Sequence, residues 1–241
     1  IGPGLGVLTC ALIKKGVRVT AIERDRRLFE YLQQCPSYEH GCHPREGGDL
    51  IRMDSHSCGN DMKLILGDAA CLDWDELLGI TPWRFVANLP YSLSSLALRK
   101  ALWAKNPPLS ATVLLQREVA ERAMARNGKT SLLSLMVALA SASAKIVRRV
   151  PPGAFYPPPK VDSAVLHILP MTWEERRRKW GIEPEKIMEI AKRGFAHPRK
   201  MLAKNLLDSS YSLSPPAYSL VGKRRAEDLS PEEWAELVKT L

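Results

Sequence analysis

The chain has 241 residues, 45% hydrophobic and 25% charged, a composition that suits one large or two modest globular domains. No run approaches the roughly 18 consecutive apolar residues of a membrane-spanning helix, so no membrane role is expected. The 35 Lys+Arg against 26 Asp+Glu give a net charge of +9, which favours a polyanionic partner, nucleic acid being the commonest, and disfavours a basic one.

The first residue, Ile1, already lies inside a motif, so a fragment or processed chain is expected, with any leader outside it. Ile1–Gly6 reads IGPGLG, a glycine-rich turn running into a helical segment, Val7–Lys15. Val17–Glu23 has strand character, Arg26–Gln34 reads as a helix and Lys63–Leu66 as a short strand. Between them, residues 36–60 break the pattern with Gly, Pro, Ser and charge, and read as an exposed insertion. Cys35, His40, Cys42, His43, His56 and Cys58 fall in or beside it, but their spacing matches no zinc pattern, so no metal is expected. With Cys10 and Cys71 added, the five cysteines form no framework, and reduced thiols in a cytoplasmic protein are the natural reading.

Strands follow at Phe85–Ala87 and Thr112–Leu115, with helices from about Ser94 and Arg117 and an apolar helix over Ser131–Ala142. Two later strands, Lys145–Val150 and Ala164–Leu169, flank the proline-rich Pro151–Lys160. This alternation predicts a mainly parallel α/β sheet over residues 1–170. Beyond Pro170 the strand pattern stops, and residues 171–241 read as a small, all-helical second domain. Within it, Glu185–Phe195 and Arg199–Leu207 are amphipathic, Tyr211–Tyr218 is a Ser/Pro loop, and Ser230-Pro231-Glu232-Glu233 opens a last helix with a Ser cap, Pro in the first turn and Glu three residues on. Residues 171–241 hold 14 Lys+Arg and 11 Asp+Glu, so the basicity is spread over the whole chain.

Candidate chemistry gathers where strands end. Glycines at 2, 4 and 6 let the backbone approach a ligand at a helix N-terminus, and Glu23, closing the next strand, can accept both hydroxyls of a ribose. Such a pair indicates a nucleoside cofactor, and both a nicotinamide dinucleotide and S-adenosylmethionine satisfy it. Gly67-Asp68-Ala69 follows the third strand, where the Asp68 carboxylate can accept from an adenine amine. Asn88-Leu89-Pro90-Tyr91 follows the fourth: Asn88 offers a carbonyl acceptor, Pro90 fixes the turn and removes a donor, and Tyr91 presents a face on which a base can stack. Phe155, held before the triple proline 157–159, is a candidate second jaw.

IGPGLG, Glu23, GDA, NLPY, LQREVAER (Leu115–Arg122), FYPPPKVDSA (Phe155–Ala164) and GFAHPRKMLAKNL (Gly194–Leu206) occur in the order seen in the KsgA-type ribosomal RNA small-subunit adenine dimethyltransferases, which the chain resembles over nearly its whole length apart from 36–60. The resemblance implies a Rossmann-like S-adenosylmethionine-dependent methyltransferase sheet (residues 1–170) with a small helical RNA-binding domain (171–241). It implies that Gly2, Gly4 and Gly6 cradle S-adenosylmethionine, Glu23 its ribose and Asp68 its adenine, with Asn88 also lining the cofactor. It further implies that Asn88, Leu89, Pro90 and Tyr91 with Phe155 form the catalytic clamp on a flipped adenine. Arg117, Arg199, Lys200, Lys204, Arg224 and Arg225 are the candidate phosphate contacts. The implied reaction is dimethylation of two adjacent adenosines near the 3′ end of small-subunit ribosomal RNA, by a monomer acting on the immature subunit.

The family pattern also has a segment upstream of the glycine turn, with a Gln-x-Phe-Leu-type motif covering the cofactor. This chain begins after it, and weak cofactor binding by the fragment is expected. Three other readings compete. An Erm-like enzyme would methylate a large-subunit adenine, a non-catalytic RNA-binding assembly or transcription factor would not need the amine clamp of Asn88, Tyr91 and Phe155, and a nicotinamide-dependent enzyme would leave NLPY, the triple proline and the charge of +9 unexplained.

Overall fold

A computed structural model describes residues 1–34, 62–125, 128–209 and 211–241. The 36–60 insertion, with the five Cys and His residues inside it and Cys35 beside it, lies outside the described residues. Contacts divide the chain into two compact units, one of Ile1–Asp73 with Val86–Ala97, the other of Trp74–Phe85 with Leu98–Leu241. The helical segment 171–241 thus shares a unit with most of the sheet residues.

In the first unit α1 (Val7–Ile13) leads to β1 (Val19–Glu23), α2 (Arg26–Gln34) and β2 (Met62–Leu66), and β1 and β2 pair in parallel from Val19↔Met62 to Glu23↔Leu66. That register brings both strands to their carboxyl ends together, Glu23 beside Leu66, and sends the next residue of each chain segment into the same rim. The amide of Gly2 donates to the Ile22 carbonyl at 2.9 Å and that of Gly67 to the Glu23 carbonyl at 2.8 Å, tying both turns to β1. β3 (Phe85–Asn88) begins at the unit boundary and ends in the NLPY turn, which a single 3₁₀ turn (Tyr91–Leu93) carries into α4 (Ser94–Leu102).

The second unit opens with α3 (Trp74–Leu78) and contains β4 (Ala111–Gln116), α5 (Arg117–Ala123), α6 (Leu132–Ala140), β5 (Ser141–Val150) and β6 (Ser163–Pro170). Here the expectation of parallel strands is corrected: β4 and β5 both pair antiparallel to β6. The physical reason is the link. Residues 151–162 between β5 and β6 contain only one 3₁₀ turn (Pro152–Ala154), and a parallel return needs a crossover helix. Alternate residues of β4, Ala111, Val113 and Leu115, are fully buried with Leu166 and Ile168 of β6 and Leu135 and Leu139 of α6. Burying such side chains, each worth about 1.5–3 kcal/mol, fixes this face as the core.

The helix expected over Ser131–Ala142 stops at Ala140, and β5 starts at once. The apolar run hides the break. Ser141 has extended backbone (φ −129°, ψ 147°), and its hydroxyl donates to the Val137 carbonyl at 2.6 Å, closing the helix without a glycine.

The remaining elements are helical: α7 (Trp173–Trp180), α8 (Pro184–Gly194), α9 (Leu202–Asp208), α10 (Pro215–Val221) and α11 (Pro231–Thr240). The Ser/Pro loop expected at Tyr211–Tyr218 is corrected by α10. Ser214 caps it, accepting from the Ala217 amide, and Pro215 occupies the first turn. This is the same Ser-Pro signature that marks α11, where Ser230 and Glu233 complete a reciprocal capping box.

Tryptophans and one arginine fasten these helices to the strand-bearing part of the unit. Trp173 Nε1 donates to the Ala104 carbonyl and Trp180 Nε1 to that of Leu139, both at 3.0 Å. Arg176, fully buried, donates to the carbonyls of Met171 (3.0 Å) and Leu102 (2.7 Å) and lies 4.5 Å from the Trp173 ring centre. Burial pushes its guanidinium down to about 10. Among the described residues no helix is long and apolar enough to cross a membrane.

Candidate active site

The glycine turn has the conformation its sequence suggests. Gly2, Gly4 and Gly6 all sit at positive φ (57°, 58° and 85°), a region where any side chain carries strain. A Cβ at Gly2 or Gly4 would meet nothing within 4 Å among the described residues, so space stands open above the backbone. The Gly6 carbonyl starts α1 by accepting from Cys10 at 2.7 Å.

Glu23 is 6% exposed, and both oxygens of its carboxylate face backbone amides. Oε1 accepts from the amides of Arg24 (2.8 Å) and Asp25 (2.9 Å), and Oε2 faces the amide of Gly4 at 3.4 Å. The side chain therefore does two things. It closes the turn after β1 and it holds the glycine turn against the strand end. Asp68 stands on the neighbouring strand end, half-buried. Its Oδ1 accepts from the Ala70 amide at 2.8 Å, and Oδ2 lies 3.6 Å from Arg24 Nη1. Arg24 was not singled out in the sequence; its adjacency to Glu23, placing it beside the next strand's Asp, was the available signal. Among the described residues, no group of three His, Cys, Asp or Glu could hold a metal.

The NLPY turn lies in the same unit. Asn88 is exposed at the end of β3, and no partner for its amide is seen among the described residues. Leu89 beside it is 2% exposed and anchors the turn, so of this residue only the backbone can meet a substrate. The Pro90 carbonyl accepts from the Leu93 amide (2.9 Å) and the Ser94 hydroxyl (3.2 Å) and is consumed by the start of α4. Tyr91 is 39% exposed.

Phe155 belongs to the second unit, where it is half-buried and extended (φ −123°, ψ 153°) as the residue closing the 3₁₀ turn. The following Tyr156–Pro157 bond is cis, and Tyr156 is fully exposed. LQREVAER and KVDSA hold one another: the Arg117 amide donates to the Asp162 carbonyl (2.9 Å), Arg117 Nη1 meets Asp162 Oδ2 (2.7 Å), and Gln116 pairs with Ser163. Arg117 thus has a partner inside the fold.

The basic positions of the helical segment differ in their engagement. Arg199 and Lys204 are exposed, and Lys200 lies 3.3 Å from Asp208. Asn205, 2% exposed, pins the turn that carries Arg199 and Lys200, its Nδ2 donating to the carbonyls of Gly194 (2.7 Å) and His197 (3.0 Å). Arg224 is committed to Glu233 through two bonds of 2.6 and 2.8 Å and also donates to the Asp228 carbonyl. That pairing raises the guanidinium above its ordinary range and holds the Glu233 carboxyl below its own. Arg225 is exposed, 4.0 Å from Glu227.

A family model described as ribosomal RNA adenine dimethylase matches residues 1–239. Ribosomal RNA small subunit methyltransferase A of Dehalococcoides mccartyi is 35% identical over 246 residues, covering 98% of this chain and 76% of that protein. Among solved structures, a dimethyladenosine transferase from Plasmodium falciparum superposes with a TM-score of 0.68 at 21% identity, covering 98% of this chain and 86% of that one. The 23S rRNA methyltransferase ErmE does so with a TM-score of 0.63 at 22% identity, covering 100% and 88%. At these identities the two structures establish the fold, a Rossmann-like α/β methyltransferase sheet followed by helices.

Proposed function

Given that this chain belongs to the ribosomal RNA adenine dimethylase family, we propose that it transfers methyl groups from S-adenosylmethionine to two adjacent adenosines near the 3′ end of small-subunit ribosomal RNA, in the immature subunit. The observation that carries the reading is the joint presence, on one unit, of an open glycine turn, a carboxylate held at the end of β1 and an exposed Asn88 amide with no partner among the described residues. The small-subunit assignment follows the relative of that name, which matches across 98% of this chain.

The residues present fit this cofactor. The positive-φ turn of Gly2 and Gly4 leaves room where side chains would intrude, Glu23 presents a carboxylate for the ribose, and Asp68 an acceptor for the adenine amine. S-adenosylmethionine, when bound, supplies a methyl on a sulfonium that already carries its leaving group. The chain's task is then to present the amine. The Asn88 carbonyl and the Leu89 backbone carbonyl accept the amine's hydrogens and turn its lone pair out of ring conjugation. The Pro90 carbonyl, consumed by the turn, takes no part. Tyr91, exposed on the same unit as Asn88, offers the face on which the extruded base stacks. Orientation of this kind is worth on the order of 7 kcal/mol when complete. A monomethylated amine keeps one hydrogen, so a second transfer uses the same acceptors. Arg199, Lys204, Lys200 and Arg225 are the better phosphate contacts, because Arg117 and Arg224 already hold Asp162 and Glu233.

Replacing Asn88 with Ala in the full-length protein tests the assignment. Methyl transfer to purified small subunits should vanish while RNA affinity stays within about twofold; equal loss of both would overturn the role of Asn88. Methylation of large subunits alone would overturn the substrate.

A further inference from the structure

Among the described residues β5 pairs with β6 alone and ends the strand order of its sheet, and its ten residues carry three cations, Lys145, Arg148 and Arg149, and no acid. Lys145 and Arg148 are three residues apart, an odd spacing that in a regular strand sends side chains to opposite faces. The register shows why this does not happen here. Lys145 stands opposite His167 and Arg148 opposite Val165, two residues apart on β6, because the ladder shifts between Ile146 and Arg148. The extra residue, Val147, is left 50% exposed at the bulge. One irregularity therefore brings both cations to one face of the sheet, in successive rows about 7 Å apart along the strand. This face is the less buried one, on which Thr112 and Leu114 of β4 neighbour His167 and Val165. The Thr112 hydroxyl and His167 Nδ1 lie 2.8 Å apart, which leaves the imidazole engaged with its sheet neighbour.

Among the described residues no carboxylate lies within ion-pair distance of Lys145 or Arg148, and both are exposed; Arg149, on the other face, has Glu121 at 3.9 Å. A single charge would suffice to blunt an edge strand against pairing with another chain. Two cations phased onto one face by a bulge that exposes a valine form a repeated positive strip, which complements a repeated negative one.

We propose that Lys145 and Arg148 form a docking strip for the phosphate backbone of ribosomal RNA, carried by β5 and additional to the candidate cations of 171–241. The inference rests on the reading of the chain as a ribosomal RNA methyltransferase. It adds a phosphate-gripping surface to the residues already proposed to hold the substrate.

The test is the salt dependence of binding by the full-length protein to small-subunit ribosomal RNA. In the double variant Lys145→Ser/Arg148→Ser, the slope of log affinity against log salt should become shallower by about 2, one per lost phosphate contact, with affinity at low salt falling about tenfold. The charge-keeping variant Lys145→Arg/Arg148→Lys should retain the wild-type slope, and thermal melting of both variants should match wild type. An unchanged slope in the Ser variant overturns the strip, whether or not concentration-dependent association appears; association would assign the cations to guarding the edge. Unfolding of the Ser variant is settled by repeating the measurement with Lys145→Gln/Arg148→Gln, where the same shallower slope supports the strip and an unchanged one overturns it. Absence of methyl transfer from labelled S-adenosylmethionine by the wild-type protein would instead defeat the underlying functional reading, independently of the slope.

Discussion

Replacing Glu23 with Gln separates its two tasks. Glu23 Oε1 receives two backbone amides, from Arg24 at 2.8 Å and Asp25 at 2.9 Å, and a glutamine can keep both with its single oxygen. Its NH₂ then faces the Gly4 amide, so the contact at 3.4 Å is replaced by two donors pointing at one another. Losing one long backbone bond costs about 0.5–1 kcal/mol of stability. The larger effect falls on the cofactor. A bond from a ribose hydroxyl to a charged acceptor is worth about 1.5–3 kcal/mol, so affinity for S-adenosylmethionine should fall about 10- to 150-fold. Calorimetric titration of the full-length protein reads the affinity and thermal melting reads the stability. An affinity within twofold of wild type, accompanied by the small loss of stability, would reduce Glu23 to a cap on the turn after β1 and refute the ribose assignment.

Two further predictions concern the helical segment. A Cβ on Gly194 would lie 2.6 Å from Trp234 Cη2 and 2.7 Å from Leu202 Cδ1, and Trp234 is fully buried and stacked on Phe195 at 5.7 Å, so it cannot withdraw. Gly194→Ala should therefore lower stability by about 1–3 kcal/mol, seen as a lower urea midpoint with an unchanged slope; an unshifted midpoint would mean that the tryptophan moves freely. Glu233, whose carboxyl is held below the usual value of 4.5 by Arg224, contributes stability that is full above about pH 4.5 and is lost as the pH falls through its lowered folded-state value. Glu233→Gln should flatten that acid limb in a series of melting temperatures against pH, and an equally steep limb would show that the pair adds nothing to the acid response.

The local grammar of the chain was readable without coordinates. α2 has the bounds that its pattern indicates, Arg26–Gln34, and the Ser230–Glu233 box caps α11 as its residues require. Helix periods, caps and glycine turns are set by neighbours within a few residues, and those are written in order along the sequence. The same grammar marked α10 at Ser214-Pro215, where a Ser-rich stretch masked it, and failed at Ser141, where a hydroxyl did the work of a glycine.

The site divides along the same line. The glycine turn, Glu23, Asp68 and NLPY are contiguous motifs, and their residue types alone indicated a nucleoside cofactor and a flat, amine-bearing substrate. Which atoms remain for that chemistry was decided by tertiary structure. Arg224 is held by Glu233, nine residues on, and Arg117 by Asp162, 45 residues on. The direction of β4, β5 and β6, and the bulge that turns Lys145 and Arg148 to one face, depend on register between strands that only packing of the core sets. Sequence thus determined the kinds of groups this protein brings to its strand ends and surfaces. The folded chain alone decided which of them are already paired and which still face outward, because pairing over long separations is fixed by burial of the shared core and not by any neighbour in the chain.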